Sequence, residues 1–231
     1  MKKIVLIDMD NTTNKFWLQV QNYYNTKFDK NIIINRENLK SFDIMSTVDD
    51  VNGEARLNEI FCTPGFWETM PVYDGCIEII KLLSEKYDVR ILSSPWPEYD
   101  SCCTEKIRWV KKHLPFIDPS KIIFSSDKSI IMGNILIDDA PFNLENFKSR
   151  KIAISYPYNS NINVDFRTTD WNEIPKTVDE LLGCQCEWCG DLSWTYEKYG
   201  EYVHKYMCPN RTSDKHQGNF PNLFVGEVNP I

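Results

Sequence analysis

The hydrophobic pattern begins with Ile4, Val5, Leu6 and Ile7, an unbroken apolar run with the length and β-branching of a strand buried on both faces. It stops abruptly at Asp8, Met9 and Asp10. Farther along, Cys76 to Tyr87 (CIEIIKLLSEKY) carries apolar residues at helical spacing with charged ones opposite, and Val89 to Leu92 reads as a second strand. Strand, helix and strand in this rhythm predict a parallel sheet. Glu105 to Leu114 (EKIRWVKKHL) forms an amphipathic helix pattern, and Ile122–Phe124, Ile135–Ile137 and Lys151–Ile154 give three more strands. Pro141 marks a helix start, where a missing N–H costs nothing, and Trp171 to Leu182 is the last expected helix.

Between the first strand and the turn at Pro71 to Gly75 (PVYDG), helices are expected over Lys15–Lys27 and Asp49–Phe61, with no alternating strand pattern. The expected organisation is an α/β core, residues 1–13 and 73–183, with a parallel sheet and helices on both faces. A mostly helical insertion, 14–72, interrupts it, and a loop-rich tail, 184–231, follows.

Net charge is −7 with 42% hydrophobic residues. That balance argues against nucleic acid as a partner, because backbone phosphates are bound by clustered Lys and Arg. Apolar runs reach about four residues, against the roughly 20 needed to cross a bilayer. The first run meets carboxylates where a signal peptide would place small residues, so a cytoplasmic location without a membrane partner is expected. In a reducing compartment Cys62, Cys76, Cys102 and Cys103 read as buried or idle thiols.

Four strand ends carry polar groups: Asp8 with Asp10, Ser93 with Ser94, Lys128, and Asp138 with Asp139. Singly each reads as a solvated turn. In a parallel sheet, however, all four ends open on one edge, so their side chains converge on one pocket. Three carboxylates at one site call for a cation, and oxygen ligands without His or Cys favour Mg²⁺. That inventory suits phosphoryl transfer from a monoester: Asp8 as nucleophile forming an aspartyl-phosphate, Asp10 as general acid and base, Ser93, Ser94 and Lys128 on the phosphate. Asp8, Asp10 and Asp138 are the expected Mg²⁺ ligands, with Asp139 orienting a metal-bound water.

These residues resemble the four motifs of the haloacid dehalogenase superfamily of phosphohydrolases. Its 5′(3′)-deoxyribonucleotidase branch is resembled more closely still, through Phe16, PGFW at 64–67, LSSP at 92–95, EKIRWV at 105–110, SDKS at 126–129, LIDDAP at 136–141 and DWNEI at 170–174. The resemblance spans residues 1 to 182. Asn11 and Thr13 stand where the branch usually shows Gly and Leu, and Ser126 where it often carries Arg. The resemblance implies a Rossmann-like HAD core with a small helical cap at 14–72, and hydrolysis of deoxyribonucleoside 5′(3′)-monophosphates of the dUMP or dTMP kind. Phe16, Phe42, Phe66 and Trp67 are then the candidates to stack on the base, against the alternative that such rings form the insertion's own core.

In the tail, Cys186 and Cys189 form C-x-x-C, and His204 and Cys208 form H-x-x-x-C, the paired spacing of a structural Zn²⁺ site, with Cys184 as an alternative ligand. From Cys184 onward there are four Lys or Arg against six Asp or Glu, which favours a structural clamp or a protein contact over a polyanion surface. Two other readings remain open at this level: the same chemistry on a sugar phosphate or a nucleic-acid 3′-phosphate, and a binding protein that uses the tail. The oligomeric state, a homodimer included, is also open.

Overall fold

In the computed structural model, residues 2–43, 48 and 51–183 are described. Cys184, Cys186, Cys189, His204 and Cys208, the expected zinc ligands, lie outside them. The chain divides into two units, Met1–Val178 and Asp179–Ile231, and the first carries the sheet and the site.

Among the described residues six parallel strands form one sheet: β1 (Ile4–Ile7), β2 (Asp88–Ser93), β3 (Ile122–Phe124), β4 (Ile135–Asp138), β5 (Arg150–Ile154) and β6 (Phe166–Thr168). Their order is β3-β2-β1-β4-β5-β6. The chain therefore winds outward from β1 through β2 to β3, returns to place β4 on the other side of β1, and winds outward again. The reversal lies between β1 and β4, where open α/β sheets form their ligand crevice.

Successive side chains of a strand point to opposite faces, yet Val5, Leu6 and Ile7 are all fully buried. Both faces of the central strand are thus covered, as its uninterrupted apolar run predicts. On one face Leu6, Leu92, Leu136 and Phe147 pack together with Ile4, Ile123 and Ile131 around them. The covering helices are α3 (Cys76–Lys86), α4 (Cys102–His113) and α5 (Pro141–Asn146), with α6 (Ile174–Leu181) closing the series.

The insertion holds α1 (Phe16–Phe28) and α2 (Gly53–Phe61), both near the expected helices. Two expectations need correction. β6 was not anticipated, because Arg167 sits in the middle of a three-residue edge strand that is only partly buried. Trp171–Glu173 is a 3-10 turn and not the first turn of α6; Asp170 caps it by accepting from Asn172 N.

Candidate active site

The register brings the acids together. Ile7 pairs with Ile137, and the ladder runs one step further through the Asp8 N–H, which donates to Ile137 O at 2.9 Å. Asp8 and Asp138 consequently leave neighbouring strands side by side at the sheet reversal. Beyond Asp8 the chain turns sharply, with the N–H groups of Thr13 and Asn14 both donating to Met9 O, at 2.8 and 3.0 Å. The turn needs a left-handed residue, and Asn11 fills it at φ 58°. Asn is among the few non-glycine residues that adopt this conformation readily, which accounts for Asn11 standing where the related branch has Gly.

Lys128 enters from the loop after β3. Its ammonium is buried and donates to Asp8 Oδ1 and, at 2.8 Å, to Asp138 Oδ2. Asp138 also accepts from the Ala140 N–H at 2.8 Å and from Asn143 Nδ2 at 3.1 and 3.3 Å. Its side chain is fully enclosed by these donors. Asp139 accepts from Thr12 Oγ1 at 3.3 Å and from the Tyr158 hydroxyl.

The electrostatics follow from this crowding. Burial pushes the Asp8 carboxyl up to about 7; the Lys128 ammonium pulls it down, and the Asp138 and Asp10 carboxylates push it up again. Asp139 is held well above the carboxylate range by burial and then by Asp8 and Asp138. Burial together with Asp139 also keeps the Tyr158 phenol protonated, so it is the donor in that bond.

One ligand oxygen each from Asp8, Asp138 and Asp139 lies within 4.8 Å of the others, all three residues buried. Three buried acids face one buried ammonium, and the donors are all oxygen, so the set fits a hard divalent cation such as Mg²⁺. Asp10 is not part of this cluster. Its carboxylate accepts from Asn14 Nδ2 at 3.1 Å and from Lys106 Nζ at 2.6 Å.

A cavity of about 290 Å³ opens above the acids, near the lower end of the roughly 300–1,000 Å³ common for small-molecule sites. Asp8, Asp10, Ser94, Lys128 and Asp139 line it together with the aromatic rings of Phe16, Trp17, Phe42, Trp67, Trp96 and Phe142. Lys128 is the only Lys or Arg lining it among the described residues.

Three sequence assignments shift in consequence. Asp10, expected as a Mg²⁺ ligand, stands outside the acid cluster and is turned to Lys106 and Asn14, whereas Asp139, expected only to orient a metal-bound water, offers a ligand oxygen beside those of Asp8 and Asp138 and lines the cavity. Ser93, expected on the phosphate, is fully buried and its hydroxyl accepts from Lys106 Nζ at 3.0 Å; Ser94 is the serine at the cavity. Phe66 does not reach the cavity. It packs edge-on against Phe16 and Trp67, with ring centroids at 6.0 and 5.0 Å, and so belongs to the insertion's own core. Phe16, Phe42 and Trp67 do line the cavity.

Lys106 is the residue that the sequence did not single out. Its ammonium is buried and bonds to Asp10, to Ser93 and, at 2.7 Å, to Ser94 O, and it lies 4.6 Å from the centre of the Trp67 ring. Its neighbour Glu105 is buried too, accepting from the Gly65 and Trp67 N–H groups at 2.8 and 3.1 Å. Two adjacent charged residues at the start of an amphipathic helix face inward together, one toward the acid and the other toward the loop carrying Trp67. The signal available was their place inside the EKIRWV match.

Comparison with solved structures places this fold in a class. A haloacid dehalogenase-like hydrolase from Streptococcus pneumoniae superposes with a TM-score of 0.55 at 13% identity, covering 77% of this chain and 98% of that one. A HAD hydrolase from Bacillus subtilis, bound to magnesium in its crystal, gives 0.51 at 11% identity, covering 77% and 99%. The fold is that of the haloacid dehalogenase superfamily.

The narrower assignment comes from sequence. The profile of the family described as 5′ nucleotidase, deoxy (pyrimidine), cytosolic type C protein matches residues 2–182, and the chain belongs to that family. The 5′(3′)-deoxyribonucleotidase of Bacillus subtilis (strain 168) is 29% identical over 181 residues, which is 77% of this chain and 99% of that protein. The protein is a hydrolase of the phosphatase type. No helix among the described residues is long and apolar enough to cross a membrane.

Proposed function

We propose that this protein hydrolyses deoxyribonucleoside 5′- or 3′-monophosphates, pyrimidine ones of the dUMP or dTMP kind foremost, to nucleoside and phosphate through a phosphorylated Asp8. The observation that carries the reading is one cavity lined both by carboxylates with an ammonium and by aromatic rings. A phosphate and a flat base make complementary demands of that kind. In this reading residues 1–13 and 73–183 are the catalytic core and 14–72 the cap. The cysteine-rich tail has no part in it.

The chemistry is assigned as follows. An Asp8 carboxylate oxygen attacks phosphorus in line, and the bond to the nucleoside oxygen breaks. Asp10 gives its proton to that leaving oxygen, then takes one from the water that attacks the phosphoryl-aspartate and frees phosphate. Lys106 holds the Asp10 carboxylate, and Lys128 and Ser94 bind phosphate oxygens. Asp8, Asp138 and Asp139 would hold Mg²⁺, with Asp138 also fixing Lys128; the fit of the acid cluster and the magnesium in the Bacillus subtilis HAD hydrolase support the choice of metal. When bound, the cation neutralises charge between the nucleophile and the phosphate dianion.

The test is phosphate release from dUMP, dTMP, the matching ribonucleotides, a sugar phosphate and a 3′-phosphorylated oligonucleotide, with Mg²⁺ and with EDTA. Preferred turnover of the deoxyribonucleotides, abolished by EDTA and restored by Mg²⁺, is expected. Turnover confined to the sugar phosphate or the oligonucleotide would move the substrate assignment, and none on any ester would end the enzymatic reading.

A further inference from the structure

Asp139 presents its carboxylate to the cavity from the end of β4, and two hydroxyls determine how it stands. The bond from Thr12 Oγ1 is long, at 3.3 Å, and correspondingly weak. The bond from the Tyr158 hydroxyl to Oδ2 is the closer of the two. Tyr158 lies in the 3-10 turn Pro157–Asn159 after β5, and that turn is tied to Asp139 a second time: Asn159 Nδ2 donates to the Asp139 carbonyl at 2.8 Å and to Ile154 O at 2.8 Å. Arg167 in turn donates to Asn159 Oδ1 at 2.7 Å.

The Tyr158 ring is fixed as firmly as its hydroxyl. It stacks on Tyr156 at 4.9 Å with 6° between planes, and Phe42 meets it edge-on at 5.4 Å. The Arg36 guanidinium covers Tyr156 at 4.1 Å, and its Nε donates to Ser155 O at 2.9 Å. Arg36 and Phe42 both come from the insertion between β1 and α3, so this pair of tyrosines is flanked by the insertion where it meets the sheet edge. Phe42 also lines the cavity beside Phe142, its ring 5.3 Å away. The wall of the substrate cavity thus leans on the side chain that holds an acid of the cation cluster.

We propose that Tyr158 is a positioning residue for the divalent cation: its hydroxyl holds the Asp139 carboxylate in the orientation that serves the cation, and Tyr156 and Phe42 set the ring that carries it. This rests on the cation site proposed above. Partners of this kind, bonded to a ligand without touching the metal, typically change metal affinity by about 10- to 100-fold when removed.

The test measures Mn²⁺ binding to the substrate-free protein by electron paramagnetic resonance, alongside Mg²⁺ activation of turnover. Tyr158→Phe keeps the ring and its stack and removes the hydroxyl alone. It is expected to weaken Mn²⁺ by about 10- to 100-fold and to raise the Mg²⁺ concentration for half-maximal activity by the same factor. At saturating Mg²⁺ the substrate KM should stay within about twofold of wild type. Tyr156→Phe, which removes a hydroxyl from the same stack that donates to Asn11 O and not to Asp139, should bind Mn²⁺ like the wild type. In an Asp139→Asn background, Tyr158→Phe should add less than about twofold, since a residue acting through Asp139 has nothing left to position. Wild-type Mn²⁺ affinity in Tyr158→Phe, an equal loss in Tyr156→Phe, or the full loss in the Asp139→Asn background would overturn the proposal. A wild-type protein that binds no Mn²⁺ would overturn the cation site with it, so the two failures are distinguishable.

Discussion

Lys106 and Asp10 are 96 residues apart in the chain, and the Lys106 ammonium lies 2.6 Å from the Asp10 carboxylate. The lysine is fully buried and the aspartate reaches the cavity. The same ammonium lies against the Trp67 ring, so the acid and the aromatic wall share one cation. Lys106→Met keeps most of the apolar stem and removes the charge, leaving the Asp10 carboxylate held by the Asn14 amide without the ammonium that fixes its second oxygen. A kcat lower by about 10- to 100-fold is predicted, in line with misplacement of a reacting group by about 1 Å. KM should change little, and steady-state kinetics on dUMP separate the two.

Glu105 serves the neighbouring loop. Its carboxylate accepts from two backbone N–H groups and from the Tyr99 hydroxyl at 2.8 Å. Gln offers one acceptor oxygen and turns an NH₂ toward the remaining donors. Glu105→Gln is predicted to cost about 1–3 kcal/mol, as for a buried group left unsatisfied. KM should rise because Trp67 shifts. Urea denaturation and substrate titration check the two parts.

Proton linkage gives a third prediction. The Asp8 carboxyl is raised to about 7 in the fold, mainly by burial, well above the roughly 3.9 of a free Asp. The metal-free protein therefore keeps this contribution to stability below the unfolded pKa and loses it as pH rises through about 7. A cation that binds the carboxylate must displace the proton below that pH and replaces a lost contribution above it. Mg²⁺ should raise Tm more at pH 8 than at pH 6, and its affinity should fall below pH 7 by up to about tenfold per pH unit for each carboxyl, Asp8 and the likewise raised Asp139, whose proton it displaces. Scanning calorimetry with and without Mg²⁺ at the two pH values reads this directly.

Gly133 precedes β4 at a point where the chain passes close to β1. A Cβ built there would lie 2.6 Å from Leu6 Cδ1 and 2.8 Å from its Cγ. Gly133→Ala is predicted to destabilise by about 1–3 kcal/mol through overpacking of the core around Leu6. Chemical denaturation measures it, and activity of the folded fraction should be unaffected.

The sheet was legible where burial was one-sided in its consequences. Ile4–Ile7 and Ile135–Ile137 are apolar throughout because both faces are covered, and Asp8 and Asp138 are visible as the points where each apolar run gives way to a carboxylate that is itself buried. β6 was not legible, since an edge strand of Phe166, Arg167 and Thr168 carries no apolar run. Nothing in the hydrophobic pattern marks Lys106, because a lysine in an amphipathic helix ordinarily faces water, and only the fold supplies the Asp10 and Trp67 that bury it. The part of Asp139 is not legible from adjacency, because consecutive side chains of a strand ordinarily point in opposite directions, and only the fold brings its carboxylate back beside those of Asp8 and Asp138. Phe66 and Trp67 pose the same difficulty: one ring enters the insertion's core and the next reaches the cavity.

The central claim is that Asp8 carries the phosphoryl group. The direct measurement is acid quenching of the wild-type protein during turnover of dUMP with Mg²⁺, followed by peptide mass spectrometry, with Asp8→Asn run in parallel. A phosphoryl group on the peptide containing Asp8, with no turnover and an unchanged fold in the Asn variant, is the predicted result. Turnover by Asp8→Asn, or phosphoryl transfer to a different residue, would contradict it.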